Sequence, residues 1–151
     1  MPTLRGEYEC KIDDKGRLRL PVALFQCWTS RPDTFIFLRW FDGQLALFDQ
    51  KSFSEWSAPI LKIPASTKDS QELHRFINAT TEQQPDANDR LLIPRRLAAF
   101  AQLTDEIIVI GNGTHIELWE KERFDARFNS AESQYSTLLE RVLNANSNLH
   151  P

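Results

Sequence analysis

Cysteine, histidine and glycine are all scarce in this sequence of 151 residues, which contains two, three and five of them, respectively. Cys10 and Cys27 lie seventeen residues apart (27 − 10) without a metal-ligand pattern, and we expect reduced, packed thiols. The histidines, His74, His115 and His150, do not cluster with cysteines or carboxylates at metal-binding spacings. The sequence also lacks a Gly-rich phosphate loop and a nucleophile set. We therefore expect no metal, no cofactor and no enzymatic activity.

Long apolar runs are also missing. The purest run, Ile107–Ile110, is far too short to cross a bilayer. Residues 1–5 lack the apolar stretch of a secretion signal. Hydrophobic residues make up 41% and charged residues 26% of the chain, which is typical of a globular protein with a packed core. These features predict a soluble protein of the cytoplasm.

Positive charge is not in excess, because 18 Lys and Arg residues face 21 Asp and Glu residues, for a formal net charge of −3. Nucleic-acid-binding domains are usually basic, so this balance favours a protein-interaction module. The net charge is an average, however, and a local basic patch can exist on an acidic protein.

What the sequence does contain is an internal repeat. Residues 13–21 (DDKGRLRLP) match residues 86–94 (DANDRLLIP) at an offset of 73 (86 − 13). Residues 45–53 (LALFDQKSF) resemble residues 116–124 (IELWEKERF) at an offset of 71 (116 − 45). A Gly-containing turn precedes each of the later blocks. Matching features in the same order indicate two copies of one structural unit.

Alternation of apolar and polar residues predicts the strands of each repeat. In the first repeat, a strand through Tyr8 and Cys10 turns at residues 13–16 and returns through Leu18 and Leu20. Pro21 suits the first turn of a short helix. We expect the buried face of that helix to contain Val22, Leu24, Phe25 and Trp28.

Two further strands complete each repeat. Residues 35–38 are predicted to pair with 45–48 across Asp42-Gly43, and residues 107–110 with 116–119 across Asn112-Gly113. Each repeat then consists of a strand, a turn, a strand, a short helix, two strands joined by a turn, and a helix.

The predicted fold class is mainly β with flanking helices. Four short strands bury too little apolar surface alone, so we expect both repeats to close one pseudo-two-fold barrel. The boundaries we assign are 5–56 for the first repeat, 57–77 for a helical connection, 78–128 for the second repeat and 129–151 for a C-terminal helix and polar tail. Asp69 and Glu72 fit the two ends of a capping box in the connection.

Residues from about Lys121 onward show helical, heptad-like spacing of apolar side chains. The seam consists of Phe124, Phe128, Ala131, Tyr135, Leu138 and Val142. Two interpretations stay open: the seam packs on the chain's own barrel, or it contacts a neighbouring subunit. In the second case, the oligomer contacts are Phe128, Tyr135, Leu138 and Val142.

The repeated motifs resemble the MraZ family. The resemblance lies in residues 5–9 (RGEYE), 12–18 (IDDKGRL) and 117–124 (ELWEKERF), and in two Asp-x-x-x-Arg motifs, Asp13–Arg17 and Asp86–Arg90. We call these the first loop and the second loop. The resemblance implies the swapped-hairpin barrel of AbrB-like regulators and assembly into rings. It also implies nucleoid-associated binding to promoter repeats of the cell-division and cell-wall gene cluster, including the protein's own promoter.

The first loop presents cations suited to double-stranded DNA. Alternation places Arg17 and Arg19 on one face, and Arg or Lys can donate to guanine edges in the major groove. Nearby, Arg5 and Arg19 are candidates for phosphate contacts, and Gly16 for a left-handed turn position. Asp13 caps the turn or orients Arg17, and the spacing alone favours a simple ion pair between the two. The resemblance favours DNA contact by Lys15 and Arg17.

The second loop departs from this pattern, because Asp89 stands where the first loop has Gly16. Asp tolerates left-handed backbone, so the turn can survive, but its charge repels phosphate. We expect Asp86 to orient this loop and Arg90 to contact DNA more weakly than Arg17 does. Two alternatives remain: an oligomeric interaction module without DNA binding, and an antitoxin-like DNA-binding protein.

Overall fold

The computed structural model describes residues 2–148, which form eight strands and six helices. The first repeat contains β1 (Leu4–Lys11), β2 (Arg17–Arg19), α1 (Val22–Phe25), β3 (Phe35–Arg39), β4 (Leu45–Asp49) and α2 (Gln50–Leu61). After α3 (Lys68–Asn78), the second repeat contains β5 (Thr81–Gln83), β6 (Arg90–Leu92), α4 (Arg95–Phe100), β7 (Glu106–Gly113), β8 (His115–Glu120) and α5 (Lys121–Glu132). The last helix is α6 (Tyr135–Asn148). The predicted order of elements in each repeat is confirmed.

The two repeats exchange strands. One antiparallel sheet has the order β1-β7-β8-β4-β3-β5, and β2 pairs with β6 in a second sheet. The pairs β1–β7, β3–β5, β4–β8 and β2–β6 each join the two repeats. Leu18 faces Leu91 at the centre of β2–β6, and Ala46 faces Glu117 at the centre of β4–β8. These two pairs mark a pseudo-two-fold axis, and the predicted fold class, mainly β with flanking helices and built from two repeats, is confirmed.

The strand partner expected for β2 is wrong. The alternation indicated that β2 returns along β1 as a hairpin, but in the described residues a single bridge, Ile12 to Leu18, joins them. Instead, β2 pairs with β6 over all three of its residues. A three-residue strand is stable only with an apolar face to cover, and this pairing buries Leu18 and Leu91 together.

The main core draws apolar side chains from both sheets and both short helices. It includes Leu18 and Leu91 of β2–β6, Leu47 of β4, and Leu24 and Leu97 of the helices. The prediction for α1 is correct for Leu24, which is buried, and for Phe25, which packs partly buried against the core. Trp28 also packs against the core but lies beyond the end of α1. The prediction is wrong for Val22, which is 68% exposed, because a helix of one turn presents only one side to the core. The cysteines are free thiols packed against the same core.

A buried carboxylate lies at the centre of the large sheet. Glu117 accepts hydrogen bonds from Gln44 Nε2 (3.0 Å), Trp119 Nε1 (2.9 Å) and Asn112 Nδ2 (2.9 Å), and its other close partner is His115 Nε2 (3.2 Å). Burial raises the pKa of Glu117, but these hydrogen bonds more than offset it and lower the pKa to about 2. The charge is therefore buried in a fully partnered site.

The helical connection differs in detail from the prediction. The boundary after residue 56 falls inside α2, whose N-terminus is capped by Asp49. The capping box of α3 consists of Thr67 and Ser70, not Asp69 and Glu72. The Thr67 hydroxyl accepts from the Ser70 amide at 3.1 Å, which satisfies a free donor of the first turn. No helix in residues 2–148 is both long enough and apolar enough to span a membrane.

The chain divides into two compact units, Met1–Lys121 and Glu122–Pro151. In the second unit, the continuous helix predicted from Lys121 onward is interrupted between α5 and α6. The Ser133 hydroxyl donates to the Ser130 carbonyl at 2.9 Å at this break, and such local bonds compete with helical ones. The heptad-like seam is therefore split into two short segments. His150 lies outside the described residues.

Candidate nucleic-acid interface

Each of the two loops is built around its leading aspartate. Asp13 Oδ1 accepts from the amides of Lys15 (3.0 Å) and Arg17 (2.8 Å). Asp86 Oδ1 accepts from the amides of Asn88 (2.8 Å) and Arg90 (2.9 Å). The backbone hydrogen bond from Arg17 is the main cause that lowers the pKa of Asp13, and that from Arg90 does the same for Asp86. Both carboxylates therefore act as caps that fix the loop backbone.

The same two aspartates join the loops to each other. Arg17 Nε lies 3.0 Å from Asp13 Oδ2, and Arg17 Nη1 lies 3.7 Å from Asp86 Oδ2. Arg90 mirrors this arrangement, with Nε 3.4 Å from Asp86 and Nη1 3.5 Å from Asp13. We call these four residues the aspartate–arginine cluster. The cluster lies on the pseudo-two-fold axis. It joins the first loop to the second loop, whose equivalent residues are 73 positions apart in the chain (86 − 13).

The cluster answers one question that the sequence left open, the structural role of Asp13. Asp13 both caps the turn and pairs with Arg17, so the two roles offered for it are combined. The Arg17 and Arg90 side chains are each 27% exposed, so they are held by carboxylates and not extended freely into solvent. The two arginines are equally exposed but not identical, because Arg17 Nε donates a hydrogen bond to Asp13 whereas Arg90 Nε makes only the longer ion pair with Asp86.

In the first loop, the freely presented cation is Lys15. Its side chain is exposed at the turn, and Gly16 follows with a φ of 80°, a left-handed conformation that suits glycine. A groove of about 750 Å³ lies beside the loop and is lined by Lys15, Leu92 and Arg95, among others. Arg95 is also exposed. The second repeat thus adds a cation to the surface of the first loop.

The second loop keeps the left-handed turn of the first loop but has no counterpart of the Lys15 cation. Asp89 adopts a φ of 63°, so the prediction that an aspartate preserves the left-handed turn is confirmed. The Asp89 carboxylate pairs with both terminal nitrogens of Arg31, one of them at 3.1 Å. Sequence reasoning missed Arg31, because it lies 58 residues away (89 − 31) in the segment between α1 and β3 and belongs to no motif.

The two remaining candidates lie in different places. Arg19 is exposed, and its Nη2 donates to the Asn88 carbonyl at 2.9 Å, so it reaches the second loop. Arg5 pairs with Asn112 near the far end of β1. The six steps from Arg5 to Lys11 span about 20 Å of extended strand. Arg5 therefore lies toward the opposite end of β1 from the first loop, and its proposed phosphate contact stays a prediction.

The aspartate–arginine cluster is the product of two matching motifs, and comparison with known proteins finds the same duplication. The model of the MraZ protein family, whose description notes a likeness to antitoxins, matches residues 3–76 and again residues 76–146. The chain belongs to the MraZ family. The first match extends through most of α3, so the MraZ repeat includes the helical connection that we had assigned separately.

Two relatives support this membership. A protein of Bifidobacterium longum named "Transcriptional regulator MraZ" is 32% identical over 143 residues, 94% of this chain and 93% of its own length. One of the same name from Desulforamulus reducens is 30% identical over 139 residues, 91% of this chain and 96% of its own length. The MraZ relatives compared are named as regulators and not as enzymes.

Proposed function

We propose that the protein is a sequence-specific DNA-binding transcriptional regulator. Its targets would be promoter repeats upstream of the cell-division and cell-wall gene cluster, including its own promoter. The observation that carries this proposal is the rigid first loop, which presents Lys15 outward from a backbone fixed by the Asp13 cap. The names of the MraZ relatives support transcription regulation.

Rigidity matters because a loop fixed before binding loses little entropy on contact with DNA. Lys15 can donate to base edges in the major groove or to a phosphate. Arg17 and Arg90 use Nε and Nη1 in the cluster, and each guanidinium has five N–H donors, so further contacts are available. Arg19 and Arg95 are exposed and suit phosphate contacts.

Assembly is the second part of the proposal. The apolar face of α6 is exposed, with Tyr135 at 71% and Val142 at 65%, and Leu138 and Leu139 also exposed. Exposed apolar stripes of this kind mark contacts with other molecules, and a second copy is the partner that a ring requires. A ring would present many copies of the first loop to repeated DNA sites, so weak single contacts add up despite the net charge of −3.

The test is a titration of fluorescent DNA from upstream of the gene against a shuffled sequence, at two salt concentrations. The proposal expects tighter binding to the natural sequence and a strong loss of affinity at higher salt. Arg17→Ala and Arg90→Ala are measured alongside. We expect Arg17→Ala to weaken binding more, because Lys15 lies beside Arg17 and Asp89 lies beside Arg90. Equal losses would contradict this asymmetry.

A specific observation favours the second candidate, an oligomeric interaction module without DNA binding. The exposed α6 face and the acidic net charge suit protein contacts without requiring a nucleic acid. Failure of the wild-type protein to bind the upstream DNA even at low salt would favour this module over the regulator.

A further inference from the structure

The two loops are held differently, and the difference lies in arginines of the first repeat. Arg19 donates to the carbonyl of Asn88, and Arg31 pairs with the carboxylate of Asp89. Both acceptors belong to the second loop. At the offset of 73, the position equivalent to Arg19 is Leu92 (19 + 73), which has no side-chain donor. Leu92 lies beside Gly16 of the first loop, 3.8 Å from where a Cβ would stand.

Arg31 is itself held in place. Its guanidinium lies over the Phe25 ring at 3.9 Å from the ring centre, while two of its nitrogens face the Asp89 carboxylate. Phe25 packs against the main core. A planar guanidinium that stacks on one side and pairs along its edge loses less freedom than an unsupported surface cation. The side chains of Arg31 and Asp89 are 42% and 53% exposed, so both stay at the protein surface.

We propose that Arg31 is a positioning residue that clamps the second loop and neutralises the carboxylate that Asp89 introduces there. The inference deepens the proposed function and rests on it for its DNA-binding part. Asp89 replaces glycine at a left-handed position and would place a negative charge on a surface that approaches phosphates. Arg31 cancels that charge and holds the turn, so the second loop remains compatible with DNA although it contacts DNA more weakly than the first loop does.

This inference predicts a pattern of charge rescue. Arg31→Gln exposes the Asp89 charge, and promoter affinity falls about fivefold, the effect of one unit charge near a phosphate in water. Asp89→Asn keeps a side chain that tolerates the left-handed turn, and affinity is unchanged or higher. The double variant Arg31→Gln/Asp89→Asn has the wild-type charge at this place, and its affinity returns to that of the wild type. If Arg31 contacted DNA directly, the double variant would bind as weakly as Arg31→Gln.

The matched control is Arg75→Gln. Arg75 forms an exposed ion pair with Glu72 on α3, so this variant makes the same charge change on a different part of the surface. Its affinity should stay near that of the wild type. A loss equal to that of Arg31→Gln would mean that net charge alone matters and would overturn the inference.

A second measurement does not depend on DNA. Amide hydrogen exchange in the wild-type protein should show protection at Asp89 and Arg90, whose amides bond to the Asp86 carbonyl (3.0 Å) and carboxylate (2.9 Å). Arg31→Gln should speed exchange there and leave the amides of Lys15 and Arg17 unchanged. Unchanged exchange in the second loop would refute the clamp. Absence of DNA binding by the wild type, with faster exchange in Arg31→Gln, would refute the proposed function and leave the clamp intact.

Discussion

At the scale of single residues, contacts between residues close in the chain could be predicted from the sequence, whereas ion pairs between residues far apart in the chain could not. The Asp13 cap and its pair with Arg17 follow from a spacing of four residues, and the sequence indicated both. The cross pairs from Arg17 to Asp86 and from Arg90 to Asp13 join residues far apart in the chain. Only the exchange of strands brings them together. The pair between Arg31 and Asp89 escaped prediction for the same reason.

Glu117 is another residue whose importance is visible only in the fold. Because it is buried and accepts hydrogen bonds from three separate side chains besides contacting His115, replacement by glutamine leaves donors facing an amide nitrogen. We expect Glu117→Gln to lower the free energy of unfolding by about 1–3 kcal/mol. Urea denaturation at neutral pH measures this, with Glu7→Gln, at an exposed position of β1, as the comparison. A reduction no larger than in the comparison variant would contradict the role assigned to the network.

The same residue gives the unfolding free energy a pH dependence. The pKa of Glu117 is lowered from 4.5 to about 2 in the folded protein, so the unfolded chain binds more protons between these values. Its contribution to stability is therefore complete above pH 4.5 and is lost as the pH falls toward 2. The difference in unfolding free energy between the wild type and Glu117→Gln, measured by urea denaturation, should therefore become smaller below pH 4.5. A difference that stays constant down to pH 3 would contradict the lowered pKa of Glu117.

At the scale of elements, alternation and turn residues predicted the strands and their order. The hairpins β3–β4 and β7–β8 were predicted with their partners, because a Gly-containing turn connects each pair of neighbouring segments. The predicted turn at Asn112-Gly113 was displaced by one residue, since Asn112 pairs with His115 and the turn lies at Gly113 and Thr114. The predicted partner of β2 was wrong. Whether β2 pairs with β1 or with β6 depends on which pairing covers Leu18, and the local sequence pattern does not contain that information. The break between α5 and α6 was also missed, because the apolar spacing continues across it.

The pairing of β2 with β6 predicts a contrast between two leucines in the same sheet. Leu18 is fully buried opposite Leu91, whereas Leu92 is 47% exposed. Leu18→Ala should lower the free energy of unfolding by about 2–5 kcal/mol, because it leaves a cavity in the main core. Leu92→Ala should lower the free energy of unfolding by clearly less. Thermal and urea unfolding of both variants measures the contrast, and similar reductions would argue against the central position of this strand pair.

At the scale of the whole molecule, duplication and strand exchange explain why one chain carries two different loops on a common frame. The repeat in the sequence predicted that the two halves share one set of strands and helices. The difference between the two loops was predicted in part, because Asp89 stands where the first loop has Gly16. The oligomer contacts predicted at Phe128, Tyr135, Leu138 and Val142 stay a prediction. On α6 the last three are exposed, while Phe128 stacks on Phe124 at 4.2 Å within α5.

If α6 joins copies of the chain, its apolar face should control the mass in solution. We expect the wild type to have several times the chain mass of 17.5 kDa by light scattering. Leu139→Asp/Leu143→Asp should reduce that mass, because two charges cannot be buried in an apolar contact. Asn144→Asp, on the same helix, adds one charge and should leave the mass unchanged. A double variant with the wild-type mass would remove α6 from the interface.

The central claim is that Lys15, on the first loop, contacts DNA. The most direct measurement is the slope of promoter affinity against salt concentration for the wild type, for Lys15→Ala and for Lys62→Ala, an exposed lysine at the end of α2. We predict that Lys15→Ala lowers affinity and makes the slope shallower, by about 0.9 for each phosphate that Lys15 neutralises, while Lys62→Ala matches the wild type. Identical affinities and slopes for all three proteins would contradict the claim.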